Sequence, residues 1–429
     1  MFLWVLPPVL SLLPSLLPIL ALLSGVALLL LGTGLLNSLL VLRGHGEGFS
    51  SLVLGGMGSA YFLGFFLGTF LVPRLIQRIG HVRAFAFFGA TLGASILAHV
   101  LFVHELVWIF LRVGTGIALV GFYSVIESWL NDQAAEEQRG QVFAIYMAVN
   151  LGALALAQQF LHLAAPQSFV LFALAALLVC LALLPVTATR LPVPVLSSPP
   201  RLELRRLWQA APLACAGAVL SGLAMGGFWG MGTVFALSLG LDAAGVAFWM
   251  TAAILGGACG QWPLGHCSDR MDRRLVLAWV AALAAGAGLL LLLPGTWGAV
   301  LGAFLFGSLA FAVYPIVVAH LIDHLPREDI LSGNVGLLLL HGAGAAVGPL
   351  GVGVGLAALG SVALPLHFLF LFGALAFLAW RQVGRYEDEI VEDPAHFMPM
   401  LRTSSAVLEM MTPAASEPES ESAAGPARE

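Results

Sequence analysis

The sequence predicts an all-α, polytopic membrane protein with twelve transmembrane helices in two six-helix bundles. Three observations predict it. Of 429 residues, 60% are hydrophobic and only 10% charged, against about 25% charged in an ordinary soluble domain. So few charges cannot clothe a soluble surface of this size. Apolar runs recur along the chain, as at 170–184 and 278–293. Near-continuous apolar windows of about 20 residues read as membrane spans, and backbone polar groups in lipid must pair within the segment, so these runs should be helices. Finally, the two halves echo each other. Gly64, Gly68, Gln77 and Arg78 recur as Gly256, Gly260, Asp269 and Arg270 at a lag of 192, and Gly114, Glu127 and Gly140 recur as Gly307, His320 and Gly333 at a lag of 193.

In chain order the spans fall at 15–42, 50–76, 82–103, 106–131, 140–163, 168–187, 210–239, 243–267, 274–293, 295–322, 329–359 and 361–382. Pro7, Pro8, Pro14 and Pro18 break any regular helix before about Ile19. Residues 1–13 therefore read as an irregular extension, and they lack the basic start of a signal peptide. The longest interior polar stretch, 190–209, is rich in Pro and Arg. It reads as a cytoplasmic linker between an N-terminal bundle, 1–189, and a C-terminal bundle, 210–382. Residues 383–429 hold 3 Arg against 10 Asp and Glu and are rich in Ser, Pro and Ala, which reads as a disordered acidic tail. The chain has no Lys, and no physical reason for that is evident.

Orientation follows from the arginines. Of the 18, 16 fall in one alternating set of connections and the tail, while Arg43 lies on the other side and Arg112 within a span. The positive-inside rule then places both termini in the cytoplasm, as an even helix count requires, in a bacterial inner (plasma) membrane. Cys180, Cys215, Cys259 and Cys267 sit in or beside apolar segments without metal-ligand spacing and read as small apolar residues. No phosphate loop, HExxH or GxSxG is present. The expectation is a chain that is not an enzyme, needs no metal or cofactor, is not driven directly by ATP and does not bind nucleic acid.

The sharpest local pattern follows the eighth span: Gly265, then Asp269-Arg270, then Arg273-Arg274. Its first-half twin keeps Arg78, Gly80 and Arg83 but has Gln77 in place of the Asp, and Asp272 in the second copy stands where the twin has Gly80. Arg112 is followed by Gly116 in the fourth span. These patterns resemble the cytoplasmic-loop and fourth-helix signatures of the major facilitator superfamily over residues 15–382. Gly344 to Pro349 resembles that superfamily's antiporter motif but sits in a different helix. Tyr61-Phe62, Glu127-Ser128, Gly260 to Pro263 and Tyr314-Pro315 resemble its YcaD-type transporters. The resemblance implies alternating access at a cleft between the halves. It also implies a conformational latch at Arg78, Gly80, Arg83, Glu127, Gly265, Asp269, Arg270, Arg273 and Arg274.

An ionisable group within a span is a functional-site hypothesis, because facing lipid costs it about 3 kcal/mol or more. Arg112 reads equally as a pathway contact or as an internal structural charge. Glu127 reads first as a structural ion pair with Arg78 or Arg83 and second as a proton carrier. The further pathway candidates are Asn37, Tyr123, Gln158, Trp229, Trp262 and His341, although helix–helix hydrogen bonding or aromatic packing explains each of them alone. His341 titrates near neutrality and is a second candidate to carry a proton. The implied activity is secondary active transport of a small, partly apolar organic solute, as proton-coupled efflux or exchange, by a monomer in lipid. The alternatives are an uptake permease for a metabolite, its anionic group anchored by Arg112, and a non-transporting membrane sensor or scaffold acting through the tail.

Overall fold

The computed structural model describes residues 20–133, 139–188, 204–326, 329–383 and Phe397. Within them the chain runs through twelve long helices: α1 (Leu20–Gly46), α2 (Ser51–Ile79), α3 (His81–Leu101), α4 (Glu105–Gln133), α5 (Arg139–Gln159), α6 (Phe169–Ala188), α7 (Pro212–Ser238), α8 (Ala243–Ser268), α9 (Arg273–Leu290), α10 (Gly295–Ile322), α11 (Ile330–Leu359) and α12 (Ala363–Gln382). Eleven stretches are long and apolar enough to cross a membrane. The last, Ile330–Gln382, holds both α11 and α12. Gly360 separates them with φ +66°, a backbone geometry that side chains with a Cβ rarely adopt. The described residues therefore hold twelve spans, with ends within a few residues of the sequence expectation. Residues 1–19, which hold the expected extension and the start of the first expected span, most of the linker, and all of the acidic tail but Val383 and Phe397 lie outside the described residues.

Capping chemistry sets several helix starts. Ser50 accepts a hydrogen bond from the Val53 amide, Asp242 from Gly245 and Asp272 from Arg274, each satisfying a donor that the first helical turn leaves open. Part of the expected linker is structured: a short helix, Leu204–Ala210, precedes α7. Arg206 pairs with Asp329 at 2.8 Å, and Leu207 is buried beside Gly336 of α11.

Helix packing repeats the sequence echo. In the first half α2 packs on α4, α1 on α5 and α6, and α3 on α4 and α6. Adding six to every label gives the packing of the second half. The paired glycines explain the closest contacts. A Cβ on Gly64 of α2 would collide with the Val113 carbonyl of α4, and a Cβ on Gly256 or Gly260 of α8 would collide with carbonyls of α10. Small residues let backbones approach where lipid supplies no hydrophobic drive for helices to associate.

The halves meet chiefly through α2 against α11 and α5 against α8, a pairing that the same symmetry requires, with lesser contacts of α7 on α1 and α2. These meetings cluster at the end of the molecule away from the chain termini. A Cβ on Gly55 would stand 2.7 Å from the Pro349 carbonyl, and one on Gly353 would stand 2.7 Å from the Ser51 carbonyl. The Leu350 amide donates to Ser59 Oγ at 3.1 Å. At the α5–α8 meeting, Gln159 Nε2 donates to Thr251 Oγ1 at 2.6 Å, and Thr251 donates to the Ala155 carbonyl at 3.2 Å.

Candidate solute site and gates

Below the α2–α11 closure lies a cavity lined from both halves. Helix α2 contributes Phe62, Phe65, Phe66 and Thr69, α10 contributes Tyr314, and α11 contributes Leu338, Leu339, His341, Gly342 and Ala345. The α2 residues repeat at spacings of three and four because such positions share one face of a helix. The lining is aromatic and aliphatic, with hydroxyl and imidazole groups and no charged side chain. The His341 ring lies 4.1 Å from that of Tyr314, and His341 Nδ1 shares a hydrogen bond of 3.2 Å with Ser221 of α7. The Tyr314 hydroxyl is buried and has no hydrogen-bond partner among the described residues.

Two of the expected pathway residues meet beside this cavity. Arg112, only 7% exposed, donates to Asn37 Oδ1 of α1 at 3.0 Å. Its guanidinium lies 4.2 Å from the centre of the Tyr61 ring of α2. Tyr61 in turn meets Phe62 of the cavity edge to face, with centroids 5.1 Å apart. The planar cation is thus held by an amide oxygen and an aromatic face, the two partners it recognises best short of a carboxylate. Tyr123 is buried, with its ring 6.3 Å from Phe65. Trp229 lies against Phe228 and Phe311.

Two expected pathway residues lie elsewhere. Gln158 accepts from Ser38 at 2.6 Å and donates towards the Gly34 carbonyl at 3.3 Å, so its hydrogen bonds join α5 to α1. Trp262 is 79% exposed and stacks on His266. Eleven residues separate it from Thr251, placing both within about 20° on one face of α8, the face that meets α5.

The latch residues also divide. Gly80 turns the chain between α2 and α3 at φ +81°, while Arg78 and Arg83 are exposed. Among the described residues no ion pair joins either arginine to Glu127. Glu127 is 0% exposed and accepts from the Tyr146 hydroxyl of α5 at 2.8 Å. Tyr146 is legible only in three dimensions, because a neutral phenol gives no charge signal in sequence. In the second half Arg273, 5% exposed, donates to Asp323 at the end of α10 at 2.8 Å and towards Asp269 at 3.4 Å. Arg274 meets His324 at 3.0 Å, and Arg270 is exposed. Gly265 and Asp269 receive Phe397 of the tail: the Phe397 amide donates to Asp269 Oδ1 at 2.8 Å.

Twelve spans in two matched bundles, closed on each other at one end above a cavity that both halves line, define a multi-pass membrane transporter fold. The chain matches the sequence profile of the Major Facilitator Superfamily over residues 22–213, somewhat less than half of its length. More narrowly, it is similar to its YcaD-type transporters. It is 28% identical over 333 residues to an uncharacterized MFS-type transporter of Enterobacter sp. (strain 638), covering 76% of this chain and 86% of that one. It is 27% identical over 330 residues to the uncharacterized MFS-type transporter YcaD of Escherichia fergusonii, with the same coverage. Among solved structures, the nucleoside transporter NupG superposes with a TM-score of 0.72 at 14% identity, over 86% of this chain and 99% of that one. A bacterial homologue of the human lysosomal transporter Spinster, inward-facing and unoccupied, superposes with a TM-score of 0.68 at 16% identity, over 86% and 97%.

Proposed function

We propose that the chain is a secondary active transporter that carries a small, uncharged or weakly charged, partly apolar organic solute through the cleft between its halves by alternating access. The observation that carries this reading is a cavity lined from both halves and sealed at one end only by close helix contacts and single hydrogen bonds. Such contacts can part without breaking either bundle. The aromatic lining and the absence of a charged side chain from it favour a solute that is itself largely apolar, oriented by a few polar groups. On this reading the termini and the Asp269 loop lie in the cytoplasm, and with the far end closed the solute reaches the cavity from that side. Protons are the simplest coupling ion, with His341 in the cavity wall and the buried Glu127 as candidate carriers.

The uptake of an anionic metabolite by Arg112 is the weaker reading, because the guanidinium is already engaged by Asn37 and Tyr61. The test is counterflow in proteoliposomes with a panel of neutral, anionic and cationic aromatic solutes, after selection by thermal shift. A ligand at about 100 times its Kd stabilises the native state by about 2.7 kcal/mol. Neutral members should bind and exchange. Counterflow by anions alone would move the assignment to Arg112, and a chain that exchanges none would support the scaffold.

A further inference from the structure

Gly265 and Asp269 stand on one side of the α8 end, and that side is specific. Fourteen residues separate Thr251 from Gly265 and eighteen separate it from Asp269. At about 100° per residue both lie within about 40° of Thr251, the residue that bonds to α5 in the other half. Trp262 shares this stripe and is bare. The α8 face that closes on α5 at one end of the molecule therefore continues, uncovered, towards the other end, and Phe397 is seated on its last turns. A Cβ on Gly265 would collide with the Phe397 ring, so the seat exists because residue 265 has no side chain. The ring is partly buried against the core. The backbone is held as well, by the 2.8 Å bond from the Phe397 amide to Asp269 Oδ1. Asp269 is linked in turn to Arg273, and Arg273 to Asp323, so the tail joins a network across the ends of α8, α9 and α10. Phe397 is the only Phe after Phe377, in a chain end otherwise dominated by acidic and small residues. The fourteen residues from Val383 reach up to about 48 Å, ample to arrive there.

We propose that the end of α8 is a docking site for the chain's own C-terminal segment, with Phe397 as the anchor, and that the docked ring is a wedge between α8 and α5. For the ends near the termini to close, as the opposite ends are closed here, α5 must approach the stripe on which Phe397 sits. The wedge leaves first, and while seated it favours the conformer described above. A ring without a covalent tie, held by one charge-assisted hydrogen bond, can come and go.

Docking and wedging are read separately in the full-length chain in lipid nanodiscs. Hydrogen–deuterium exchange reads docking whether or not the chain moves a solute. The Phe397 amide should exchange at least about tenfold more slowly in the native chain than in Gly265→Val, which evicts the ring, or in Asp269→Ala, which removes the acceptor. Equal exchange in all three would overturn the docking site. Pulsed spin-label distances between positions 77 and 331, at the ends of α2 and α11 near the termini, read the wedge. Phe397→Ala should raise the ratio of closed to open molecules by roughly three- to tenfold. An unchanged distance distribution in Phe397→Ala would overturn the wedge.

Discussion

Arg112 brings a permanent charge about 10 Å into α4, seven residues from its start. It is held there by side chains of α1 and α2, so it ties three helices of one half beside the cavity. Arg112→Ala should lower solute counterflow about tenfold or more, since a buried hydrogen bond to a charged group contributes about 1.5–3 kcal/mol. Arg112→Lys should recover part of this, because a point charge can face Tyr61 or bond Asn37 but lacks the planar fork that does both. Full activity of the Ala variant at normal protein levels would remove Arg112 from the pathway. Glu127 gives a second residue-scale expectation. Tyr146→Phe deletes the hydroxyl that donates to the buried carboxylate and should lower stability by about 1.5–3 kcal/mol, seen as a lower unfolding midpoint by intrinsic fluorescence. An unchanged midpoint would show that the carboxylate does not depend on this bond. The sequence pointed to both charges because each interrupts an apolar span. It did not reveal their partners: Asn37 is 75 residues from Arg112, and Tyr146 is polar only at one atom.

At the scale of the element, glycine placement decides which helices approach. Gly116 of α4 faces the Tyr61 carbonyl so closely that a Cβ would collide with it, whereas a Cβ on Gly114, two residues earlier, would meet nothing within 4 Å. Gly116→Ala should therefore destabilise by about 1–3 kcal/mol through overpacking, while Gly114→Ala should be neutral or slightly stabilising, since Ala favours the helix. Thermal unfolding of the two variants side by side checks this, and equal midpoints would refute the packing account. The same contrast should hold in the second half between Gly260→Ala and Gly286→Ala. Glycine spacing and the lag near 192 made these seams legible in advance. The twelve spans were legible too, because a lipid-facing helix must be apolar along its length. The cavity was less so. His341 was among the expected residues, but its neighbours Phe62, Phe65 and Phe66 belong to the other half, and no local pattern says which helices a fold will set face to face. Trp262 shows the same limit: its place in an apolar span did not say which neighbours it would meet, and its exposed side chain stacks on His266.

For the whole molecule, the symmetry that pairs α2 with α11 must also pair α5 with α8, and both pairs close at the same end. Two like bodies that touch along two crossing seams can roll from one end of those seams to the other with their interiors unchanged, which is the motion that alternating access requires. The seam in use holds Gln159 and Thr251 within one hydrogen bond, so cysteines at these positions can lock it. The measurement that tests the central claim most directly is the pulsed spin-label distance between positions 77 and 331 in a chain with its four native cysteines replaced and carrying Gln159→Cys and Thr251→Cys. With the 159–251 disulfide formed, we expect a single long distance. After reduction, we expect a second, shorter distance to appear as molecules close near the termini and open at the far end. A distribution that is the same before and after reduction would contradict a rocking transporter.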